Sequence, residues 1–335
     1  MSSKKPPSKT LKPVKKPLIS ICIPIFNEEE NLSALMARLD NLDKAELEYD
    51  FEFLFTDNAS TDNGFAILAE MAATDKRIRV LRFSRNFGFQ KSILTNYKYA
   101  RGEAAVQIDA DLQDPPEIIS EFLRLWETGN KVVYGVRRKR KESIFLNLTR
   151  RAYYRLVSWL SQTDLPRNAG DFRLIDRVIL NQLGTVDEQT PYLRGLIASI
   201  GYKQVGVVYD RDRRVAGRSK FNLFKLIELG IDGITAQSIR PLKLMTMFGF
   251  CMSILAGMAI IYYLLAAIFS DGTTISGFTT LVLLQLLLLS MNAFLLGLLG
   301  EYVGRIFNNT RGLPLTIIQD RIEQGEQVSK KDQRA

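Results

Sequence analysis

Along the first half of the chain, short apolar runs alternate with stretches in which apolar residues recur every three or four positions. The runs at 18–24, 49–56, 78–83, 104–108 and 131–136 are too short for helices and predict strands. Between them, the helical spacing predicts helices near 31–39, 64–73, 90–100 and 116–127. Strand–helix alternation with short connections predicts a mainly parallel α/β sheet covered on both faces. Ligands of such sheets bind beyond the carboxyl ends of the strands. Polar residues gather there: Asn27 and Glu28 after the first strand, Asp57 and Asn58 after the second, Asn86 after the third, and Asp109 and Asp111 after the fourth.

The second half changes character. Residues 143–160 carry an apolar stripe of Ile144, Phe145, Leu148, Leu156 and Leu160, with Arg150, Arg151 and Arg155 off it. That pattern fits either a surface helix packed on the sheet or a helix lying in a membrane interface. A second amphipathic segment, 221–234, leads directly into an apolar region, which favours the interface for it. Residues 244–269 and 278–300 each offer roughly 20 or more mostly apolar residues, enough to cross about 30 Å of hydrocarbon.

The linker between these spans carries only Asp271, whereas Arg240, Lys243, Arg305 and Arg311 flank the outer ends. This asymmetry predicts a helical hairpin in an inner (cytoplasmic) membrane, with the α/β domain and both termini cytosolic. Gln285 and Asn292, on one face of the second span, are expected to hydrogen-bond to the first, and Gly297, Gly300 and Gly304 to allow close helix approach and oligomerisation. Residues 1–17, rich in Lys, Pro and Ser, predict a disordered basic tail rather than a signal peptide. The expected division is tail 1–17, α/β domain 18–220, interfacial region 221–243, transmembrane helices 244–303 and cytosolic tail 304–335.

Composition narrows the chemistry. A net charge of +9 points to nucleic acid, anionic lipid or phosphate; with apolar spans present and no nucleic-acid motif, lipid and phosphate take precedence. The absence of histidine excludes an imidazole base or ligand. Cys22 in a predicted strand and Cys251 in an apolar run make no disulfide framework, which fits a reducing compartment.

The most informative segment is QIDADLQDPPE, 107–117, where an apolar strand ends in Asp109 and Asp111 follows. Such a carboxylate pair suits Mg²⁺ or Mn²⁺, which take oxygen ligands and keep room for substrate phosphates. Further on, GDFRLID puts Asp171 and Arg173 on one face if the segment is extended.

The segments ISICIPIFNEEENL, TDNASTD, RNFGFQ, DADLQDPPE, GDFRLID and AGRSKF occur in this order. On them the chain resembles family 2 glycosyltransferases of the GT-A fold. It is most similar to polyisoprenyl-phosphate glycosyltransferases of the bactoprenol glucosyltransferase type, relatives of dolichol-phosphate mannosyl synthase. The resemblance runs from Leu18 to about Ile318. It implies that Pro24, Phe26, Glu28, Asp57 and Asp109 line the nucleotide pocket, and that Asp109 and Asp111 serve the ribose and a divalent metal with Gln113 close by. It gives Asp171 the role of general base and singles out the loop Gly217-Arg218-Ser219-Lys220. Three departures stand out: Asp57-Asn58-Ala59-Ser60 where the family commonly has Asp-Asp-Gly-Ser, Phe89 in place of a frequent histidine, and Phe26 in place of a tyrosine.

The activity so implied is inverting transfer of a sugar, glucose from a UDP-sugar by default, to the phosphate of a membrane polyprenyl phosphate such as undecaprenyl phosphate. That acceptor, with a second pKa of about 6, is largely dianionic near neutral pH and needs orientation more than deprotonation. Asp171 is therefore expected to position the phosphate, through a basic residue, and to take a proton only from the monoanion. Candidate phosphate ligands are Arg137, Arg140, Arg151, Arg214, Arg218, Ser219 and Lys220. A processive polysaccharide synthase is the alternative enzyme, but the chain lacks its further spans and its Gln-x-x-Arg-Trp motif. A non-catalytic nucleotide-sugar-binding scaffold is disfavoured by the intact carboxylates.

Overall fold

The computed structural model describes residues 16–138, 169–211, 238–269, 277–323 and 326–327. The expected amphipathic segments 143–160 and 221–234 lie outside them. The strands are β1 (Leu18–Ile25), β2 (Asp50–Asp57), β3 (Ile78–Phe83), β4 (Ala104–Gln107), β5 (Val132–Arg137), β6 (Ala169–Asp176), β7 (Gln204–Tyr209), β8 (Ile318–Glu323) and β9 (Glu326–Gln327). The helices are α1 (Glu29–Ala45), α2 (Gly64–Thr74), α3 (Phe89–Tyr99), α4 (Ile119–Glu127), α5 (Arg177–Gly184), α6 (Leu193–Ser199), α7 (Arg240–Phe269) and α8 (Phe278–Thr310), with a 3-10 turn at Pro116–Ile118 leading into α4. The five strands and four helices expected from the pattern of the first half are all present.

Among the described residues, one sheet contains all nine strands, in the order β7-β5-β6-β4-β1-β2-β3-β8-β9. Strands β4, β1, β2 and β3 are mutually parallel, whereas β6 and β8 run antiparallel to their neighbours. Alternation along β1 explains why both faces are covered. Ile19, Ile21 and Ile23 join Leu32, Leu35 and Leu39 of α1 in one core, while Cys22 joins Leu54 of β2 and Ile93, Leu94 and Tyr97 of α3 in the other. Each such side chain, fully withdrawn from water, stabilises the fold by about 1.5–3 kcal/mol.

Residues expected to form part of a C-terminal tail instead extend the sheet, because β8 pairs with β3 from Arg79↔Glu323 to Phe83↔Ile318. An ion network fastens this edge. Arg79 donates to Glu323 at 2.8 Å and to buried Glu52 at 2.9 Å, and Arg101 reaches Glu323 at 2.8 Å. Burial pushes the Glu323 carboxyl up, but hydrogen bonds from Arg79, Arg321 and Arg101 outweigh it and bring the pKa down to about 2.

Helices α7 and α8 contain the two expected spans and are long and apolar enough to cross a membrane, with mean hydropathy of 1.6 and 1.7 over their most apolar stretches. Met247, Phe250, Ile254, Leu284, Leu289 and Leu296 are exposed along them, a surface suited to hydrocarbon. The inter-helix contacts expected of the polar and small residues of α8 are not seen among the described residues. Gln285 and Asn292 are exposed with no hydrogen bond to α7 among the described residues, and Gly297, Gly300 and Gly304 have open space beside them. Small and polar positions on α8 therefore face outward. At the base, Tyr302 Oη donates to the Ser238 carbonyl at 2.7 Å.

Candidate active site

A cleft of about 350 Å³ opens at the carboxyl ends of the parallel strands, lined by Pro24, Phe26, Glu28, Asn58, Asn86, Phe89, Ser92, Asp109 and Asp111 among others. Three loops build its rim. Asn27 donates its backbone N–H to Ser60 Oγ at 3.0 Å, and its side-chain Oδ1 accepts from Thr61 N at 2.8 Å, so the loops after β1 and β2 are laced together. Asn58 Nδ2 donates to Asn86 Oδ1, and Asn58 Oδ1 accepts from Phe87 N, which pins the loop after β3. Among the described residues, the non-glycines with positive φ are Asn27, Ala59 and Leu112, at 57°, 59° and 59°. They sit in the loops after β1, β2 and β4, so backbone strain is concentrated around the cleft.

Phe26 and Phe89 are each 42% exposed, and both line this cleft. Exposed rings in a cleft offer apolar faces to a planar ligand such as a nucleobase. Glu28 is fixed by Asn31, whose Nδ2 donates to its Oε2 at 2.6 Å. Asp57 stands apart from this group. It is fully buried, accepts from Ser60 N at 3.0 Å, and its Oδ2 lies 3.3 Å from Arg82 Nε. Its carboxylate supports the loop from beneath, while Asn58 occupies the lining.

At the end of β4, Gln107 Nε2 donates to Asp109 Oδ1 at 3.0 Å, and Gln113 N donates to Asp111 Oδ1 at 3.1 Å. Gln113 thus meets Asp111 through its backbone. Burial, then the charges of Asp114, Asp171 and Asp111, push the Asp109 carboxyl up to about 7. Asp109 and Asp111, both lining the cleft, offer the oxygen donors that a hard divalent cation takes, with Arg211 Nη2 3.9 Å from Asp111 Oδ2. Among the described residues no group of three or more acidic, histidine or cysteine side chains is arranged to enclose one, so a cation on Asp109 and Asp111 would complete its shell from substrate and water.

Asp171 is on β6, where the sequence allowed an extended segment. Gln107 pairs with Arg173 across β4 and β6, and continuing that register two residues puts Asp109 opposite Asp171. Arg194 of α6 donates Nε to Asp171 Oδ1 and Nη2 to Oδ2, both at 2.9 Å. Burial alone would raise this carboxyl, but Arg194, with help from Arg173 and Arg137, holds it below the usual carboxylate range. Arg173 turns to its own strand and donates to the Gly170 carbonyl at 2.8 Å.

Arg137, expected among the phosphate ligands, points to a protein partner instead. Its Nη2 lies 3.4 Å from Asp114 Oδ2, and its Nε donates to Tyr209 Oη at 3.3 Å. Tyr209 Oη donates to Asp114 Oδ1 at 2.5 Å, and Arg211 Nε lies 3.4 Å from the same oxygen. A Cβ on Gly170 would come 3.0 Å from Arg137 Nη2, so this glycine makes room for the guanidinium. Arg140, Arg151, Arg214, Arg218, Ser219 and Lys220 lie outside the described residues. Sequence reading missed Arg194, Tyr209 and Arg211, which reach the acidic cluster from elements far along the chain and carry no local motif.

With this geometry in place, comparison with known proteins is informative. Residues 20–184 match the family described as glycosyl transferase family 2. An uncharacterised glycosyltransferase of Bacillus subtilis, YkcC, is 41% identical over 90% of this chain and 93% of its own. The bactoprenol glucosyl transferase of Shigella phage SfX is 30% identical over 90% of this chain and 99% of its own. Among solved structures, a mannosyltransferase from Pyrobaculum calidifontis in complex with GDP-Man and Mn²⁺ covers 90% of the chain and is covered over 91% of its own, at 19% identity and a TM-score of 0.45. The protein is a glycosyltransferase with a mainly parallel α/β sheet of the GT-A kind. It belongs to glycosyl transferase family 2.

Proposed function

We propose that the protein transfers a hexose, with inversion, from a nucleotide-sugar donor to the phosphate of a membrane polyprenyl phosphate, giving polyprenyl-phosphate-sugar for cell-envelope glycan modification. The observation that carries this reading is the joining, in one chain, of an acidic cleft with exposed aromatic walls to two long helices that expose apolar side chains. The similarity to bactoprenol glucosyl transferases over nearly the full chain makes glucose from UDP-glucose the first donor to test. In the cleft, Phe26 and Phe89 cover the base while Glu28 and Asp109 hydrogen-bond the ribose or base edge. Asp109 and Asp111 hold Mg²⁺ or Mn²⁺, which when bound neutralises charge on the diphosphate. Asp57 acts indirectly, by holding the loop that carries Asn58.

The acceptor phosphate approaches the side of the cleft where Asp171 and Arg194 lie, and its oxygen attacks the anomeric carbon opposite the departing diphosphate. Arg194 is suited to orient the incoming phosphate, and Asp171 to keep that guanidinium aimed. Because β8 rejoins the sheet after α8, two membrane crossings leave the C-terminal strand on the catalytic side, which supports a hairpin with the enzyme and both termini in the cytosol. The test is to incubate the purified protein with labelled nucleotide sugars, polyprenyl phosphate and Mg²⁺ or Mn²⁺. A lipid carrying a single sugar is expected; a growing polymer would favour a processive synthase, and no labelled lipid with any donor would overturn the reading.

A further inference from the structure

At the start of α3 two cations share one aromatic ring. Arg85 Cζ lies 4.1 Å from the centroid of Phe87, and Lys91 Nζ lies 5.9 Å from it. Their polar contacts are to neutral atoms: Arg85 Nη1 to the Asn86 carbonyl at 3.3 Å, and Lys91 Nζ to Gln189 Oε1 at 3.2 Å. Among the described residues neither has a carboxylate partner, whereas Arg38, Arg77, Arg79, Arg124 and Arg137 all do. Lys91 is half-buried, and burial followed by the charge of Arg85 holds its ammonium below the usual lysine range. Two like charges over one ring, one exposed and one half-buried, with no carboxylate against either among the described residues, offer an anion a favourable place.

The position says which anion. On one side, Asn86, Phe89 and Ser92 line the cleft that holds Asp109 and Asp111. On the other, Gln189, the partner of Lys91, donates its backbone N–H to Asn309 Oδ1 at 3.0 Å and its Nε2 to the Leu313 carbonyl at 2.6 Å, at the end of α8. Gln90 Oε1 accepts from Leu193 N at 3.3 Å, next to Arg194. The cations therefore occupy the seam between the catalytic cleft and the foot of an apolar helix.

We propose that Arg85 and Lys91 form an anion subsite that receives the phosphomonoester of an apolar-tailed acceptor as it passes from the foot of α8 into the cleft. This rests on the reading of the enzyme as a lipid-phosphate glycosyltransferase. It assigns the phosphate to two residues outside the basic runs that the sequence brings forward.

The full-length enzyme is assayed with undecaprenyl phosphate and the productive nucleotide sugar. Lys91→Gln is expected to raise the acceptor KM about tenfold or more, with the donor KM within about twofold of wild type; Arg85→Gln in addition raises it further, and Lys91→Arg recovers most of the loss. An acceptor KM within about twofold of wild type in the double variant overturns the subsite. A rise in the donor KM alone also overturns it, by giving the cations to the donor diphosphate. Wild-type enzyme provides a second measurement free of any folding defect: farnesyl phosphate, but neither farnesol nor UDP, should protect Lys91 from amine acylation read by mass spectrometry. Protection by UDP alone, or by nothing, overturns the proposal. Absence of sugar transfer by wild type would instead sink the functional reading, while the protection pattern still reports on the subsite.

Discussion

The carboxylate of Asp171 is gripped at both oxygens by the guanidinium of Arg194. A carboxylate so held, with its pKa lowered, is a weak proton acceptor but a firm brace. The Asp171→Asn enzyme should therefore keep a residual rate that rises with pH across the second ionisation of the acceptor phosphate, near about 6. Total loss of transfer at every pH would restore the general-base role. Arg194→Lys, which keeps charge but not the fork, should lower kcat/KM for the acceptor by about tenfold or more, as read from initial rates at saturating donor.

Asp111→Ala should reduce transfer to roughly one hundredth or less, by removing half of the acidic pair proposed to carry the cation. Because the residue lines the cleft and is far along the chain from α7 and α8, membrane fractionation of the variant should match wild type. Normal transfer by Asp111→Ala would remove the metal from the account.

Ala59 adopts φ 59°, a left-handed conformation that costs a side-chain-bearing residue about 1–2 kcal/mol and glycine nearly nothing. Ala59→Gly should raise the thermal midpoint of the detergent-solubilised protein, and Ala59→Val should lower it. A lower midpoint for the glycine variant would mean that no strain is stored in this loop.

How much of this arrangement could be read from the sequence depended on how local each feature was. Strands β1 to β5 announce themselves because each is a short apolar run, and Asp109 and Asp111 because a carboxylate pair at a strand end is a contiguous pattern. Asp57 also stands at a strand end, yet the fold buries it under its own loop, since a strand-end carboxylate can turn to the backbone N–H of Ser60 as readily as to a ligand. Arg194 was invisible because its partner is on a different element, 23 residues away, and its own helix shows nothing but an ordinary Arg. Strand β8 is likewise short and half polar, since it lies near the sheet's edge between β3 and the two-residue β9, where an ion network does the work of a buried face.

The ion network on that edge has a pH dependence with a definite sign. Glu323 titrates at about 2 in the folded chain against 4.5 for an ordinary glutamate, so its contribution is complete above about 4.5 and is lost as the pH falls toward 2. Glu323→Gln should cost about 2 kcal/mol at neutral pH and flatten the acid limb of a thermal-midpoint profile. An unchanged acid limb would show that β8 is held by its backbone alone.

Arg79 and Glu323 meet across a separation of 244 residues, with both apolar helices strung between them. During synthesis, β3 emerges long before its partner, and in the proposed hairpin its outer hydrogen-bonding edge stays bare until α8 has been threaded through the bilayer and turned back. A nascent chain whose hairpin inserts with the wrong number of crossings strands β8 on the far side. The soluble half then keeps a raw, pairing-competent flank, and the cell meets an unfinished enzyme as a sticky one that its proteases can tell from the assembled form.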